Sequence, residues 1–537
     1  MVKGFPARLG LPSTSAQRRS PSSPVSATSH ESRRSPAIDL TGYRQTSTTD
    51  AIGREAYGTP AFPPYDGAVA SGATIAPYHE PLSARDAWFL YAERPETPLD
   101  LGTVYVFEGG SRVPGGRGAL GVEETIRERI HLVPRYRQRI HRVPWNLMHP
   151  VWVDDPHFDL GAHIRREVLP PPGDGASLRR LVMRILARPL DMRRPLWEMT
   201  IVTGLRGGRV VLVNRAHHAM VDGASSVDIL SLLLDPSPEG YTPDPPADGW
   251  QPRPQPSNWQ LIRPMLWNLR AAQRSERTRL PAFWSTWRMP WTGMLKLSGK
   301  MVTPRPDLFF NRKIGTQRTG RGLKVPLAAF KALKHRFGCT VNDAVLAVVS
   351  EGLYRWFKGR GESVPAKVRV FCPVSVRSED ARSRLGNQIS GMVLELPTGD
   401  LTVEERLRQI KVTTGDLKRT RQAVAADALA GLADWAPPSL LVLAGRLMSN
   451  PQAGANINVT NVPGPQFPLY SGGAELLEVW PFAPLYPSMG LGVAIVSYNG
   501  DAYFGLTADP GIVPDVEEFT ARLEEAAVQC TELAARP

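Results

Sequence analysis

Asn214-Arg215-Ala216-His217-His218-Ala219-Met220-Val221-Asp222-Gly223 is the stretch on which the reading of this chain turns. An apolar run, Val210-Val211-Leu212-Val213, leads in and reads as a buried strand. A second run, Val227 to Leu234, leads out and reads as a helix. Two imidazoles, a carboxylate four residues after the second, and a glycine therefore fall where a buried strand stops and the chain turns. Gly223 permits that turn, by positive φ or by close packing. An imidazole held there can take a proton from an alcohol near neutral pH, because its ordinary pKa is about 6.5. Neighbouring residues on a strand face opposite ways, so His217 and His218 are poorly placed to share a metal with Asp222. No His-Glu-x-x-His helix is present, and no metal is expected.

At 537 residues the chain exceeds one ordinary core, so two domains or subdomains are expected. A hydrophobic fraction of 42% suits a globular enzyme. Cys339, Cys372 and Cys530 lie far apart and form neither a disulfide framework nor a zinc signature, which points to a reducing cytosol. No uncharged apolar run reaches the roughly 18–20 residues of a membrane span. The start also lacks the apolar core of a signal peptide.

The net charge of +13 is concentrated in one place. From Gln251 to Lys300 there are nine Lys/Arg and one acid, Glu276, which gives 9 − 1 = +8. The same region, Trp250 to Trp291, carries six of the 13 tryptophans. Cations mixed with indoles suit an anionic lipid surface. The alternative is a long crossover whose tryptophans pack on the protein. Nucleic acid is not expected, since no recognised binding motif accompanies the charge.

Residues 1–80 are rich in Ser, Pro and Arg, lack apolar periodicity, and read as a disordered extension. Order is expected to begin near Leu82-Ser83. Strands are expected at Gly102–Phe107, Trp197–Val202 and Arg209–Asn214, followed by a Pro-rich linker from Pro236 to Pro256. Thr340 and Asp343 read as a helix start, with Val345, Leu346, Val349, Leu353 and Trp356 at helical spacing and Gly359 as the stop. Val368–Val376 reads as a strand. Thr402 and Glu405 form a second capping box, and Asn499-Gly500 a hairpin turn. Val516, Phe519, Leu523, Ala527, Cys530 and Leu533 lie on one stripe of a last helix. Strands and helices alternate in both halves, which predicts an α/β (α+β) class with mixed sheets.

His-His-x-x-x-Asp-Gly resembles the motif of the bacterial wax ester synthase/diacylglycerol acyltransferase family, within the chloramphenicol-acetyltransferase-like, CoA-dependent acyltransferases. Further boxes follow in the family's order: Leu82-Ser83 through Asp86 and Phe89, Pro195-Leu196-Trp197-Glu198, Asn342-Asp343, Pro373 to Arg377, Gly386-Asn387, and Thr460-Asn461-Val462-Pro463-Gly464-Pro465. The extension before Leu82 departs from the family pattern, and Thr460 stands where the family usually has serine.

The resemblance implies two chloramphenicol-acetyltransferase-like subdomains, 81–240 and 315–537, joined by a crossover, 241–314, with a substrate tunnel between them. It implies O-acyl transfer from long-chain acyl-CoA, as substrate and without a cofactor, to diacylglycerol or a long-chain alcohol. His218 would be the general base and His217 its orienting neighbour. Asp222 would pair with Arg377 to hold the loop. Asn342 and Asp343 would line the channel, with helix capping the alternative for Asp343. Pro195, Leu196 and Trp197 would form its wall, and Thr460 and Asn461 would donate to the oxyanion. The expected setting is cytoplasmic and peripheral, at the inner membrane face or on lipid droplets, with a homodimer as a further partner. Two other readings share the motif: a condensation-type acyltransferase using carrier-protein thioesters, and a non-enzymatic lipid-droplet protein.

Overall fold

The computed structural model describes residues 78–221, 229–263, 305–375, 389–419 and 454–535, apart from positions 113, 115, 230, 231, 241, 242 and 245–248. The extension up to residue 77, Asp222, Gly223, the basic stretch 264–304, Val376, Arg377, Gly386 and Asn387 lie outside the described residues.

The first half runs β1 (Glu80–Pro81), α1 (Ala84–Ala92), β2 (Asp100–Phe107), α2 (Val122–Arg129), β3 (Gln138–His141), β4 (Val151–Asp154), β5 (Ile164–Val168), α3 (Gly175–Leu186), β6 (Trp197–Thr203) and β7 (Val210–His217). The second half runs β8 (Thr319–Pro326), α4 (Leu327–Phe337), α5 (Val341–Gly359), β9 (Lys367–Ser375), β10 (Ile389–Pro397), α6 (Val403–Arg419), β11 (Ile457–Pro463), β12 (Tyr470–Ser471), β13 (Ala474–Phe482), β14 (Leu491–Tyr498), β15 (Asp501–Ala508) and α7 (Val516–Ala535).

Two mixed six-stranded sheets carry the fold, ordered β12-β13-β2-β7-β6-β5 and β10-β9-β11-β14-β15-β8. A small sheet, β1-β4-β3, stands beside them. β7 is central, and every residue in it is buried. Its alternation serves two cores at once. Val210, Leu212 and Ala216 enter one core with Trp197 and Tyr105. Val211 and Val213 enter another with Val182, Met183 and Ile185 of α3. A strand covered on both faces reads as a continuous apolar run, as Val210–Val213 does.

β7 extends past the expected end at Asn214 to His217. Its pairing explains the extra residues: Asp100 of β2 lies opposite His217, and Trp197 of β6 opposite Ala216. The second sheet is covered by α4, α5 and α7, whose Phe330, Leu353, Trp356, Phe519 and Leu523 join one core. The stripe expected on the last helix is buried at all six positions. Asn499 and Gly500 form the tight β14–β15 turn at φ 44° and 90°, where glycine carries no steric cost.

The sheets do not divide as the chain does. β12 and β13 come from the second half, yet β13 pairs with β2, from Phe482 opposite Gly102 to Leu476 opposite Phe107. The sheets are pinned where β14 and β15 meet β13. Tyr498 and Tyr503 donate to the carbonyls of Leu476 and Leu477, at 2.9 and 3.2 Å. A Cβ added to Gly505 would sit 1.6 Å from the Pro481 carbonyl oxygen, so only glycine fits there.

Candidate active site

His218 follows the last residue of β7. Its backbone N–H donates to the Leu99 carbonyl at 2.9 Å, which fixes the main chain. Its ring stacks on Phe89, with centroids 4.0 Å apart and planes 5° apart. Phe89 comes from α1, and the start of α1 explains the aim. Ser83 caps the helix by accepting from the Asp86 N–H at 3.1 Å, and its hydroxyl donates to the Asp86 carboxylate at 2.8 Å. The Leu82-Ser83…Asp86…Phe89 box is thus a helix cap that places one aromatic face against the imidazole. His218 is only 6% exposed, so its ring meets little bulk water.

His217 has a different environment. It is fully buried, and its Nδ1 accepts the Ala219 N–H at 3.0 Å. A neutral ring must therefore carry its proton on Nε2, which lies 3.6 Å from Glu93 Oε2. Its own N–H donates to the Leu196 carbonyl at 2.9 Å, and its carbonyl accepts from Met220 at 2.8 Å. Opposite it in the sheet, burial pushes the Asp100 carboxyl up, while Arg215 and His217 pull it back. Arg215 is buried too. It reaches Asp100 at 3.1 Å, the Arg188 carbonyl at 2.7 Å and the Ile185 carbonyl at 2.5 Å.

Glu93, Asp100 and His217 are the histidine and acid side chains close enough to share a cation among the described residues, with ligand atoms within 4.8 Å. Arg215 already supplies a positive charge to Asp100, and His217 has committed Nδ1 to the backbone. The cluster reads as a lock under the strand end, joining β2, β7 and the chain just after α1.

Leu196 and Trp197 are buried. Trp197 lies between Tyr136 and His163, at centroid distances of 4.5 and 4.6 Å, and its indole N–H donates to the Tyr136 carbonyl at 2.8 Å. His163 Nδ1 meets the Trp197 carbonyl at 2.8 Å, and burial holds its pKa below the ordinary value. The Pro195-Leu196-Trp197 box therefore anchors β6 and supplies the carbonyl that receives His217. A polar cleft of about 570 Å³ opens beside it, lined by Arg139, Asp155, His157, Asp159 and His163. His218 does not line this cleft.

In the second sheet two expected boxes meet. The Asn461 amide donates to the Asn342 side-chain oxygen at 3.3 Å, joining β11 to the start of α5. Asp343 closes a capping box with Thr340, at 2.8 and 3.1 Å, and accepts from the Thr414 hydroxyl at 2.7 Å. Both of its carboxylate oxygens are engaged within the protein. Thr460 is partly exposed on β11.

Sequence reasoning did not single out Glu93, Asp100 or Arg215 for the site. One signal was available: Arg215 stands directly after an apolar run read as a buried strand, and an arginine buried there requires a partner. Phe89 was visible as part of a box, but its contact with His218 was not.

The arrangement of two mixed sheets is shared with solved structures of other proteins. The wax ester synthase/diacylglycerol acyltransferase from Marinobacter aquaeolei VT8 superposes with a TM-score of 0.58 at 23% identity, covering 85% of this chain and all of the other. The first condensation domain of the calcium-dependent antibiotic synthetase gives 0.56 at 16% identity, covering 86% and 97%. The fold class is thus the mixed α/β fold of the chloramphenicol-acetyltransferase-like proteins.

Residues 82–345 match the wax ester synthase/diacylglycerol acyltransferase catalytic domain, and residues 385–529 match the C-terminal domain of the same family. A probable diacylglycerol O-acyltransferase of Mycobacterium tuberculosis strain CDC 1551 / Oshkosh is 31% identical over 459 residues, covering 85% of this chain and 96% of the relative. A second probable diacylglycerol O-acyltransferase of that strain is 28% identical over 471 residues, covering 83% and 97%. The chain belongs to the wax ester synthase/diacylglycerol acyltransferase family.

Proposed function

We propose that this protein transfers a long-chain acyl group from acyl-CoA to the hydroxyl of diacylglycerol or of a long-chain alcohol. The observation that carries the reading is the setting of His218: a ring placed by Phe89 and the Leu99 carbonyl at the end of β7, in a chain that matches the family at both halves. His218 takes the acceptor's proton as the alcohol oxygen attacks the thioester carbonyl. The new C–O bond forms, the C–S bond breaks as the tetrahedral oxyanion collapses, and the imidazolium returns the proton to the departing CoA sulfur. General-base help of this kind contributes about 10²–10⁴-fold. No acyl-enzyme is needed, so both substrates must be bound together.

The remaining roles belong to the same proposal. Thr460 and Asn461 are the candidate oxyanion donors, and Asn342 orients Asn461. Asp222 and Arg377 hold the loop after the histidines. The substrates approach His218 through a passage between subdomains 81–240 and 315–537. Acyl-CoA is a substrate, and no cofactor takes part. The enzyme works as a peripheral protein on a membrane or lipid droplet. In support, no helix among the described residues is long and apolar enough to cross a membrane, while the basic tryptophan stretch suits an anionic surface.

The test is an assay with labelled palmitoyl-CoA, offering diacylglycerol and hexadecanol separately. Labelled triacylglycerol or wax ester is expected, with free CoA released in equal amount. Ester formation with neither acceptor contradicts the proposal.

A further inference from the structure

The β3–β4 hairpin ends in an unusual way. Its tip, Pro144-Trp145-Asn146-Leu147, holds Trp145 and Asn146 at φ 55° and 51°, a left-handed backbone that bulky residues rarely adopt. Trp145 is 82% exposed, the most of any large apolar side chain among the described residues, and Leu147 is 39% exposed. The base of the hairpin is not loose. Val143, Val151 and Val153 form a small core with Leu261, and Met148 and Ile262 pack against it. Leu261 and Ile262 belong to the helical residues 258–263, where Trp259 is 63% exposed. Three exposed large apolar side chains thus lie within a few residues of one packed base: Trp145 and Leu147 follow Val143, and Trp259 precedes Leu261. Scattered exposed apolar residues need no explanation, but two indoles and a leucine within a few residues of one packed base do.

The charge around them is net positive. From Gln138 to Asp155 the sequence has Arg139 and Arg142 against Asp154 and Asp155; from Gly249 to Arg263 it has Arg253 and Arg263 and no acid. Arg139 faces Asp155 at 3.9 Å and Arg253 pairs with Asp154 at 2.8 Å, so the acids are met by arginine within the hairpin region. Arg142 and Arg263 lie at the surface. Indoles at the level of the head groups, with an excess of arginines in the same segments, match an anionic bilayer surface.

The hairpin also touches the element that carries the site. His149 Nδ1 lies 3.2 Å from the Tyr91 hydroxyl, and Tyr91 is in α1, two residues after the Phe89 that stacks on His218.

We infer that Trp145, Leu147 and Trp259 form the face that docks this protein on an anionic phospholipid bilayer, with the tip of the β3–β4 hairpin entering the interface. The inference rests on the proposed work at a lipid surface and names the residues that make the contact. Docking by this face sets α1 next to the bilayer, from which an apolar acceptor is drawn.

The experiment compares the full-length protein with its Trp145→Ser/Leu147→Ser/Trp259→Ser variant. Co-sedimentation is measured with vesicles of phosphatidylglycerol and phosphatidylcholine, and turnover with a short-chain acyl-CoA and a water-soluble alcohol. The variant is expected to bind mixed vesicles at least about 10-fold more weakly, since three interfacial side chains are lost, with turnover in solution unchanged. Wild-type protein is expected to bind pure phosphatidylcholine more weakly than the mixture. Equal vesicle binding by the two proteins overturns the inference. So does a variant that loses self-association but keeps vesicle binding, which would assign the face to a second copy of the chain. Should neither protein form ester while only the wild type binds vesicles, the acyl-transfer reading fails and the docking face stands.

Discussion

Adjacent histidines at the end of β7 have unlike surroundings. His217 commits Nδ1 to the Ala219 N–H and points Nε2 at Glu93, so its hydrogen-bonding atoms face the protein. His218 has one face covered by Phe89 and its backbone tied to Leu99. Replacing His217 by leucine leaves the buried Ala219 N–H without its acceptor, which costs about 1–3 kcal/mol. Urea unfolding of His217→Leu should show a midpoint lowered to that extent. Turnover of the folded fraction should fall far less than in a variant lacking His218. An equal loss in both would make His217 the proton acceptor. The motif made the histidine pair legible, because four-residue spacing to Asp222 is a local property of the chain. The Glu93, Asp100 and Arg215 lock was not legible, because Asp100 lies 115 residues from Arg215 and meets it only through strand pairing.

Elements whose signals are local were read well, and the reason is visible in their caps. Thr340 and Asp343 exchange both bonds of a capping box at the start of α5, and Thr402 and Glu405 do the same before α6. Thr340→Ala should cost about 0.5–2 kcal/mol, measured as a lowered denaturation midpoint. No change would show that α5 is held by packing alone. The end of β7 was misplaced for the opposite reason. Arg215, Ala216 and His217 carry no strong strand pattern, and they are extended because Leu101, Asp100 and Trp197 lie alongside them. The destination of β13 was equally hidden, since its partner β2 is more than 350 residues earlier in the chain.

At the scale of the molecule, two sheets are tied by a strand that leaves the second half to complete the first sheet. The boxes that sequence reading collected separately become two groups in space. The Leu-Ser, Pro-Leu-Trp and His-His boxes meet through Phe89, Leu196 and Leu99 around the end of β7. The Asn-Asp box and the Thr-Asn-Val-Pro-Gly-Pro box meet through Asn342 and Asn461. Their order along the chain was legible from resemblance, while the contacts that make each group depend on the fold. The account stands on His218 as the group that activates the acceptor. It is tested most directly by measuring ester formation from labelled palmitoyl-CoA with His218→Ala beside the wild type, with thermal unfolding of both. A loss of about 10²–10⁴-fold in turnover at an unchanged unfolding midpoint is the predicted result. Turnover equal to the wild type in a folded His218→Ala protein would contradict it.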